Sequence, residues 1–400
     1  MAPDGQPQGR RRGWITVAVV VVLFVVAVVA ALIVRVPGLA EMSETLPAMR
    51  PTVAPSVVHS VSIDFGVVTD PDTDWNAIEQ RLDAVGATTV NLNAGRVEFT
   101  AFDWDAHPSV AAEPGTDHLA VAAAALHLDG QGRQRQVNLI VDVFVPEWLK
   151  SDPAIAGVSA TGRRARYAAS ASQLAQGEVG QRIIDYVVAL GERYDPNQIE
   201  LTELFLDTYS FGPDDLALFR TMTGRKDWPR TSTGAIDTRA TIVGKWRSEV
   251  IAGFMARARK ALVAVRGGDG RNIGLALDVR VNWNDPAGGR PFSGHDYHLL
   301  LAAGIDLQAW IYIGTANKQP ADIRRLTAAL AAGGYDLPRF TMSVGLWKGP
   351  ANADPPGRIS PDELGLAVAA AQTNGIADVN VTPFSLFTDA HWTALENAWR

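Results

Sequence analysis

Cysteine is absent from this chain of 400 residues. Its absence excludes a disulfide framework, a thiolate zinc site and lipoprotein acylation. Long runs of like charge are also missing: the longest is Arg10, Arg11 and Arg12, and the net charge is −7. A nucleic-acid partner needs a basic face, so we expect none. With 47% hydrophobic and 20% charged residues, the chain has enough apolar material for a large core and is not mainly disordered.

Several catalytic signatures are missing as well. No HExxH segment or comparable pair occurs among the seven histidines. His295 and His298 are three apart, but the sequence offers only Asp296 nearby as a third ligand, which disfavours a metal-dependent hydrolase or polysaccharide deacetylase. There is no GxSxG elbow and no Walker loop, and we predict neither a metal nor a cofactor. The segment DPDTD at 70–74 lacks the spacing of a calcium loop and is predicted to cap a helix that begins near Trp75.

One long apolar run is present near the N-terminus. Residues 14–34 carry no charge, and roughly 20 such residues cross a bilayer core of about 30 Å as a helix. The three arginines before the run predict a cytoplasmic N-terminus. We therefore predict a tail at 1–13, a single-pass membrane anchor at 14–34, a proline-containing linker at 35–55 and an extracytoplasmic domain at 56–400. A cleaved secretory signal is the alternative, and it would export the same domain.

From residue 57 the chain alternates strand-like apolar runs with helical stretches. The runs lie at 57–66, 87–97, 136–145, 198–207, 272–282, 306–314, 339–347 and 377–385. Helices are predicted at 75–85, 116–128, 181–194, 239–265, 295–303, 321–331, 361–373 and 389–399, with left-handed glycine caps at Gly86, Gly333 and Gly375. Eight such units predict an α/β fold, a (β/α)8 TIM barrel. An open doubly wound sheet is less favoured, because no glycine-rich phosphate turn follows the first strand.

Acidic residues recur near the ends of four predicted strands. Side-chain alternation directs inward the carboxylates of Asp64, Asp142, Glu203, Asp207 and Asp278. Barrel enzymes place their active sites at these C-terminal strand ends. The longest segments predicted to be irregular, 98–115, 146–178 and 221–238, also follow strands and should lie there. A buried carboxylate needs a partner, and Arg96 and Arg280 are candidates. Asp64 and Asp142 are better explained by structural or substrate-orienting roles than by catalysis, whereas Glu203 is the preferred catalyst.

Aromatic residues cluster at the same strand ends. Planar rings above carboxylates suit the apolar faces of sugar rings, although ordinary packing is the better explanation for any single ring. For Trp283, Trp310 and Trp347 together, a binding cleft explains the pattern equally well. The residues predicted to contact substrate are Asp64, Asp142, Arg280, Asn282, Trp148, Tyr209, Trp283, Trp310, Tyr312 and Trp347.

Residues 57–400 resemble the β/α-barrel glycoside hydrolases, and the composition suggests an actinobacterial member. The segment LTELFLD resembles the fourth strand of the large clan of retaining barrel hydrolases, with Thr202-Glu203 in the place of the Asn-Glu pair that supplies the acid/base. The segment VNLIVDVFVPEWL is similar to a third strand that ends at a Pro-x-Trp shelf. The clan's nucleophilic Glu ends the seventh strand, but RFTMSVGLWKG contains no acid. The resemblance therefore leaves two possibilities: another carboxylate serves, or the chain lies outside that clan.

These features together predict a membrane-anchored glycoside hydrolase that acts on cell-envelope or extracellular polysaccharide. Glu203 is the expected general acid/base, with a pKa raised by burial near other carboxylates, Asp278 the second carboxylate and Asp207 its alternate. A carboxyl separation of about 5 Å would give retention and roughly 6.5–9.5 Å inversion. The alternative function is a catalytically inactive barrel that binds glycan or scaffolds envelope assembly.

Overall fold

The computed structural model describes Met49, Pro51 and residues 55–265, 272–350 and 357–400. Residues 47–400 form one compact unit of the chain. The predicted tail, membrane anchor and most of the linker lie outside the described residues and remain predictions. Over the ranges described, no helix has both the length and the apolar character needed to cross a membrane. Within the predicted linker, Met49 is buried, and its carbonyl accepts a hydrogen bond of 2.9 Å from Val137 N.

Eight parallel strands close into a barrel, as the sequence predicts. They are β1 (Val58–Ile63), β2 (Thr89–Arg96), β3 (Gln136–Asp142), β4 (Gln198–Thr202), β5 (Gly274–Arg280), β6 (Asp306–Trp310), β7 (Phe340–Gly345) and β8 (Asp378–Thr382). Each strand pairs with its neighbours along the chain, and β1 pairs with both β2 and β8, which closes the sheet. The predicted strands run past the observed ends, most of all in β4, which stops at Thr202 instead of Asp207. The fold is therefore a (β/α)8 barrel.

A helix follows each strand and covers the outside of the barrel. The helices are α1 (Trp75–Ala84), α2 (His118–Leu126), α3 (Glu178–Tyr194), α4 (Thr241–Ala264), α5 (Tyr297–Ala302), α6 (Pro320–Ala332), α7 (Pro361–Ala371) and α8 (Asp389–Trp399). Outward strand residues such as Leu201, Leu277 and Leu307 are register partners and are at most 1% exposed. Their burial under the helices supplies apolar stabilisation of about 2 kcal/mol for each side chain.

Three of the four residues predicted at helix ends have the predicted conformation or cap contact, and one does not. The Asp74 carboxylate caps α1 by accepting a hydrogen bond of 3.0 Å from Ala77 N, as predicted. Gly86 and Gly375 have the predicted positive φ, at 66° and 92°. The prediction for Gly333 is wrong: the chain continues in a right-handed conformation there and turns at Gly334, where φ is 72°.

The segments after β3 and β4 contain more regular structure than the sequence predicts. Residues 146–178 are not irregular, because they form the helix Pro146–Ser151, a hairpin of Ala156–Val158 with Arg164–Ala169, and the helix Ala171–Gln176. The helix Pro213–Thr223 lies in the segment before α4. Shorter helices, Phe65–Val68 and Ile313–Ala316, follow β1 and β6. All of these segments follow the C-terminal ends of strands.

The interior of the barrel is held by polar hydrogen bonds around Asn380 on β8. Asn380 Oδ1 accepts hydrogen bonds from Ser60 Oγ at 3.1 Å, Ser62 Oγ at 3.0 Å and Asn91 Nδ2 at 3.2 Å. Its Nδ2 donates to Ser343 Oγ at 3.0 Å. All five side chains are at most 4% exposed. One amide thus links β8 to β1, β2 and β7 inside the barrel.

Replacing Asn380 with alanine should lower the free energy of unfolding by about 3 kcal/mol, because several buried polar groups would lose a partner. Urea denaturation of the full-length protein measures the loss. Asn284→Ala is the matched control, since Asn284 is exposed, and it should change stability by no more than about 0.5 kcal/mol. Equal losses in the two variants would contradict a structural role for the interior hydrogen bonds.

Candidate active site

A cavity of about 610 Å³ opens at the C-terminal ends of the barrel strands. Many of its polar lining residues are acidic or form a hydrogen bond or an ion pair with an acidic residue. Eight of the thirteen predicted site residues line it: Asp64, Glu203, Asp278, Arg280, Trp283, Trp310, Tyr312 and Trp347. Asp142, Asp207, Asn282, Trp148 and Tyr209 are not among its lining residues. The position at the strand ends and the mixture of acids and aromatic rings fit a binding cleft.

Glu203 reaches the cavity by a break in the backbone, not by continuing the strand. Strand β4 ends at Thr202, and Glu203 has a φ of 63°, in the left-handed region that residues other than glycine rarely adopt. The predicted alternation of Glu203 with Phe205 and Asp207 along one strand is therefore wrong, although Glu203 does line the cavity. Strained backbone of this kind is concentrated at functional sites.

The electrostatic surroundings of Glu203 favour its protonated form. Burial raises its pKa to about 7, the negative charges of Asp142 and Asp278 act in the same direction, and Arg280 opposes them. In the part of the chain that is described, no Lys, Arg or His lies within ion-pair distance of the Glu203 carboxylate. A carboxyl group with this pKa can both give and take a proton near neutral pH, as general acid/base catalysis requires.

Asp278 lies deeper and shares a proton with Glu200. Thr202 Oγ1 donates a hydrogen bond of 2.6 Å to Asp278 Oδ2, and Gln308 Nε2 donates to Glu200 Oε1. Burial raises the pKa of both acids, and the charge of Asp278 raises the pKa of Glu200 further. Two adjacent buried carboxylates cannot both ionise easily. Glu200 therefore stays protonated and donates a hydrogen bond to ionised Asp278.

The indole of Trp310 lies beside Asp278 without completing a hydrogen bond. Within the described ranges, the indole nitrogen of Trp310 is buried and has no hydrogen-bond partner. The indole is close enough to lower the pKa of Asp278, but the two groups do not meet hydrogen-bond geometry. Buried polar atoms without partners are uncommon, and at a cavity wall they mark positions that a ligand or water can satisfy.

Glu200 is the site residue that the sequence interpretation missed. Its register partner is Ala276, and it shares the inward face of β4 with Gln198 and Thr202. Alternation counted from Thr202 instead of Asp207 would have directed Glu200 inward. The signal was therefore present in the sequence, but the position at which the strand ends hid it.

Asp142 and Asp207 are bound to arginines beside the cavity. Arg280 Nη1 lies 2.6 Å from Asp207 Oδ2, and Arg96 Nη1 lies 3.3 Å from Asp142 Oδ2. Asp142 also accepts a hydrogen bond of 2.8 Å from Phe144 N, yet burial still raises its pKa. The predicted arginine partners are thus confirmed. Both carboxylates act on the site through charge and through the arginines that they hold.

The remaining predicted polar residues have mainly structural contacts. Asp64 lines the cavity and accepts a hydrogen bond of 2.8 Å from Ser385 N, which ties β1 to the segment after β8; burial raises its pKa. Asn282 accepts hydrogen bonds from the backbone of Asn284 and Asp285 in the turn after β5. Their substrate contacts remain predictions.

Aromatic rings cover one side of the cavity. Trp310 and Tyr312 are stacked with centroids 5.4 Å apart, and Trp347 lies 5.2 Å from Tyr312. Trp283 also lines the cavity. Elsewhere, Arg182 lies over Trp148 at 4.4 Å and Arg163 over Tyr209 at 5.5 Å. Trp310 at the end of β6, Tyr312 after it and Trp347 after β7 therefore form a continuous surface. Trp148 and Tyr209 are paired with cations outside the cavity lining.

The histidines singled out in the sequence have structural roles. His295 Nδ1 accepts a hydrogen bond of 2.9 Å from Arg280 N, and its Nε2 donates to Leu204 O at 2.9 Å. Burial lowers the pKa of His295 to about 4. Asp296 caps α5 by accepting a hydrogen bond from Leu299 N. Across residues 55–265, 272–350 and 357–400, no cluster of three His, Cys, Asp or Glu side chains could hold a metal ion.

Comparison with known proteins finds similarity in structure alone. No protein-family profile matches the chain, and no curated protein matches its sequence. The glycoside hydrolase domain of PgaB (BpsB) from Bordetella bronchiseptica superimposes with a TM-score of 0.64 at 15% identity, covering 86% of this chain and 99% of that one. The catalytic domain of β-amylase from Paenibacillus polymyxa gives 0.58 at 11% identity, covering 86% and 98%.

A third structure extends the same pattern. The β-galactosidase of Marinomonas ef1 gives a TM-score of 0.59 at 14% identity, covering 85% of this chain, which spans 59% of the length of that enzyme. At these low identities the similarities establish a shared barrel fold. The three structures named here are a glycoside hydrolase domain, a β-amylase catalytic domain and a β-galactosidase.

Removing the carboxyl group of Glu203 should change how the stability of the protein depends on pH. The pKa of Glu203 is about 7 in the fold against 4.5 ordinarily, so the folded protein holds one more proton between these values and loses stability as pH rises. Glu203→Gln mimics the protonated acid. Compared with wild type, it should become more stable by up to about 3 kcal/mol between pH 4 and pH 8.

Urea denaturation of both proteins across this pH range measures the difference. Glu192→Gln, at an exposed position on α3, controls for the loss of one negative charge. A Glu203→Gln stability difference that stays constant from pH 4 to pH 8 would contradict the raised pKa.

Proposed function

We propose that this protein is a glycoside hydrolase that acts on cell-envelope or extracellular polysaccharide. The observation that carries the proposal is Glu203: a carboxyl group with a pKa of about 7, held by strained backbone in a tryptophan-lined cavity and accompanied by the second carboxylate Asp278. Two carboxyl groups of unequal pKa are what glycosidic bond hydrolysis requires. The glycoside hydrolases that share the fold support the proposal.

In the proposed reaction, Glu203 protonates the glycosidic oxygen as the bond to the anomeric carbon breaks. The electron pair of that bond leaves with the protonated oxygen, and positive charge develops on the sugar ring. Ionised Asp278 stabilises this charge, either by attacking the anomeric carbon or by deprotonating the water that does so. Ionised Glu203 then recovers a proton, from the water of a second step in a retaining enzyme or from solvent in an inverting one. Glu200 keeps its own proton and orients Asp278.

The proposed location rests on the sequence. The uncharged segment 14–34, preceded by three arginines, is proposed as a single-pass anchor with a cytoplasmic N-terminus and an exported barrel. Such a tether would restrict the substrate to polymers within reach of the outer membrane surface, namely cell-envelope or extracellular polysaccharide.

A barrel that binds glycan without cleaving it is the second candidate. It is favoured by β7, which carries no carboxylate from Phe340 to Gly345, and by the arginine pairs of Asp142 and Asp207. Glu203 and Asp278 are outside such pairs, which is why hydrolysis is the preferred function.

Glu203→Gln should lower the rate of polysaccharide cleavage at least about 100-fold, because the glutamine cannot transfer a proton. Release of reducing ends from isolated envelope polysaccharides by the full-length protein measures this rate. Glu192→Gln is the matched surface control and should retain wild-type activity. If Glu203→Gln kept full activity on a glycan that the wild type cleaves, the catalytic assignment would be wrong, and absence of cleavage by the wild type would favour the binding candidate.

The pH dependence of kcat/KM should be bell-shaped. The rate should fall above about pH 7, where Glu203 loses the proton that it must donate. It should also fall on the acid side as Asp278 becomes protonated, above the range usual for aspartate, because burial raises its pKa. Initial rates from pH 4 to pH 9 measure both limbs. A rate that still rises above pH 8 would contradict Glu203 as the acid.

A further inference from the structure

The hairpin after β3 has a charge opposite to that of the chain as a whole. It pairs Ala156–Val158 with Arg164–Ala169 in antiparallel register. The stretch 153–177 that contains it has three arginines and no acidic residue, although the chain carries a net charge of −7. The hairpin is therefore a local basic surface on an acidic protein.

The three arginines of this hairpin are available to a ligand. Arg163, Arg164 and Arg166 are all exposed. Within the described part of the chain, none of them lies within ion-pair distance of a carboxylate, in contrast to Arg96 and Arg280 at the cavity. Arg163 lies over the Tyr209 ring at 5.5 Å, and Arg164 donates a hydrogen bond to Pro153 O. Two of the three side chains are thus partly oriented while their charge stays unneutralised.

The hairpin is fixed to the same end of the barrel as the cavity. Val145 N, just after β3, donates a hydrogen bond of 2.9 Å to Tyr167 O, and Phe211 N, after β4, donates one of 2.8 Å to Val158 O. At Gly157 a Cβ atom would lie 2.3 Å from Tyr209 O. The hairpin is therefore packed tightly against the segments that follow β3 and β4.

A row of partly exposed rings leads from the hairpin to the cavity. Tyr167 is 56% exposed, and its ring lies 5.8 Å from Phe144, which lies 5.9 Å from Phe205. The guanidinium of Arg280, which lines the cavity, lies 3.6 Å from the centre of the Phe205 ring and 5.5 Å from that of Trp310. The row continues through the stacked rings of the cavity wall.

We propose that this hairpin is an outer subsite for an anionic polysaccharide, a glycan that carries carboxylate or phosphate groups along its length. Guanidinium groups bind both anions through paired hydrogen bonds, and the aromatic row offers the apolar contacts that sugar rings use on the way to the cavity. The inference rests on the proposed function, since it assumes that the polysaccharide cleaved in the cavity also binds at the hairpin. Beyond the proposed function, it specifies that the substrate is anionic and that it is bound outside the cavity as well as inside it.

The aromatic row is what favours a polysaccharide over other anionic partners. A membrane surface or a nucleic acid would need the arginines but not a path of rings that ends beside Glu203. A polymer that lies along the row occupies both the hairpin and the cavity, so binding at the hairpin raises the local concentration of substrate at the acids.

Binding by full-length protein carrying Glu203→Gln separates recognition from cleavage. The probes are polygalacturonate for carboxylate groups, a phosphomannan for phosphate groups, uncharged dextran and vesicles of phosphatidylglycerol. Adding Arg163→Gln, Arg164→Gln and Arg166→Gln together should weaken binding of the acidic polymer about ten-fold at low salt. It should leave dextran binding unchanged, and raised salt should remove the difference.

The matched control removes three exposed cations elsewhere, with Lys260→Gln on α4 and Arg324→Gln and Arg325→Gln on α6. It should leave acidic-polymer binding within about two-fold of the parent, because these charges lie on helices α4 and α6 and are not part of the hairpin. Tyr167→Ala should weaken the binding of both acidic polymers and of dextran, since the proposed contact of its ring with a sugar does not depend on the charge of the polymer. The carboxylate and phosphate probes distinguish the two sources of negative charge.

Equal weakening by the two triple variants, or tighter binding of dextran than of both acidic polymers, would each overturn the proposal. Binding of the vesicles but of neither acidic polymer, lost on adding the hairpin triple, would also overturn it, whereas vesicle binding that the triple leaves unchanged would be due to the proposed anchor. The result is independent of catalysis. Charge-dependent binding without cleavage by the wild type would overturn the hydrolase and leave the subsite. Cleavage of an acidic polymer that is insensitive to the hairpin triple would overturn the subsite and leave the hydrolase.

Discussion

Closure of the barrel depends on the side chains that pack inside it. In this protein they include a group of polar side chains that are hydrogen-bonded around Asn380. An amide at this position satisfies donors and acceptors from β1, β2 and β7 at once. A network that is fully satisfied specifies one register for the strands it joins, because a slip would leave buried polar groups without partners. The same polarity lets Glu200 and Asp278 lie in the barrel with partners of their own, so the interior that closes the fold also holds the acids.

The depth of the carboxylates separates their chemistry. Glu200 and Asp278 are buried next to each other, so Glu200 keeps its proton and Asp278 carries the single negative charge of the pair. Glu203 lies in the cavity wall, closer to the opening. Its pKa is raised by burial and by the negative charges of Asp142 and Asp278. The ends of the neighbouring strands β4 and β5 thus supply one protonated acid, Glu203, and one ionised acid, Asp278. The described residues contain no cluster of side chains that could hold a metal ion. The arrangement follows from where β4 stops.

The sequence predicted the elements well and their ends poorly, for a physical reason. Apolar alternation and helix caps are local signals, and all eight strand–helix units and the cap at Asp74 follow from them. The end of β4 is decided by tertiary contacts: Glu203 takes a left-handed conformation that no local pattern around LTELFLD demands. Glu200 was missed for this reason, and the hairpin after β3 was read as irregular because its short strands are fixed by contacts with the segments after β3 and β4.

Arg280 connects these observations. Its ion pair with Asp207 and its position between Phe205 and Trp310 hold the guanidinium at the cavity wall, where it opposes the rise in the pKa of Glu203. Asp207 therefore acts on Glu203 through the arginine, although it does not line the cavity. Without that cation, the neighbouring carboxylates would raise the pKa of Glu203 further and leave it a weaker acid. With it, the group stays near neutrality, where a carboxyl can protonate a leaving oxygen and then take a proton back.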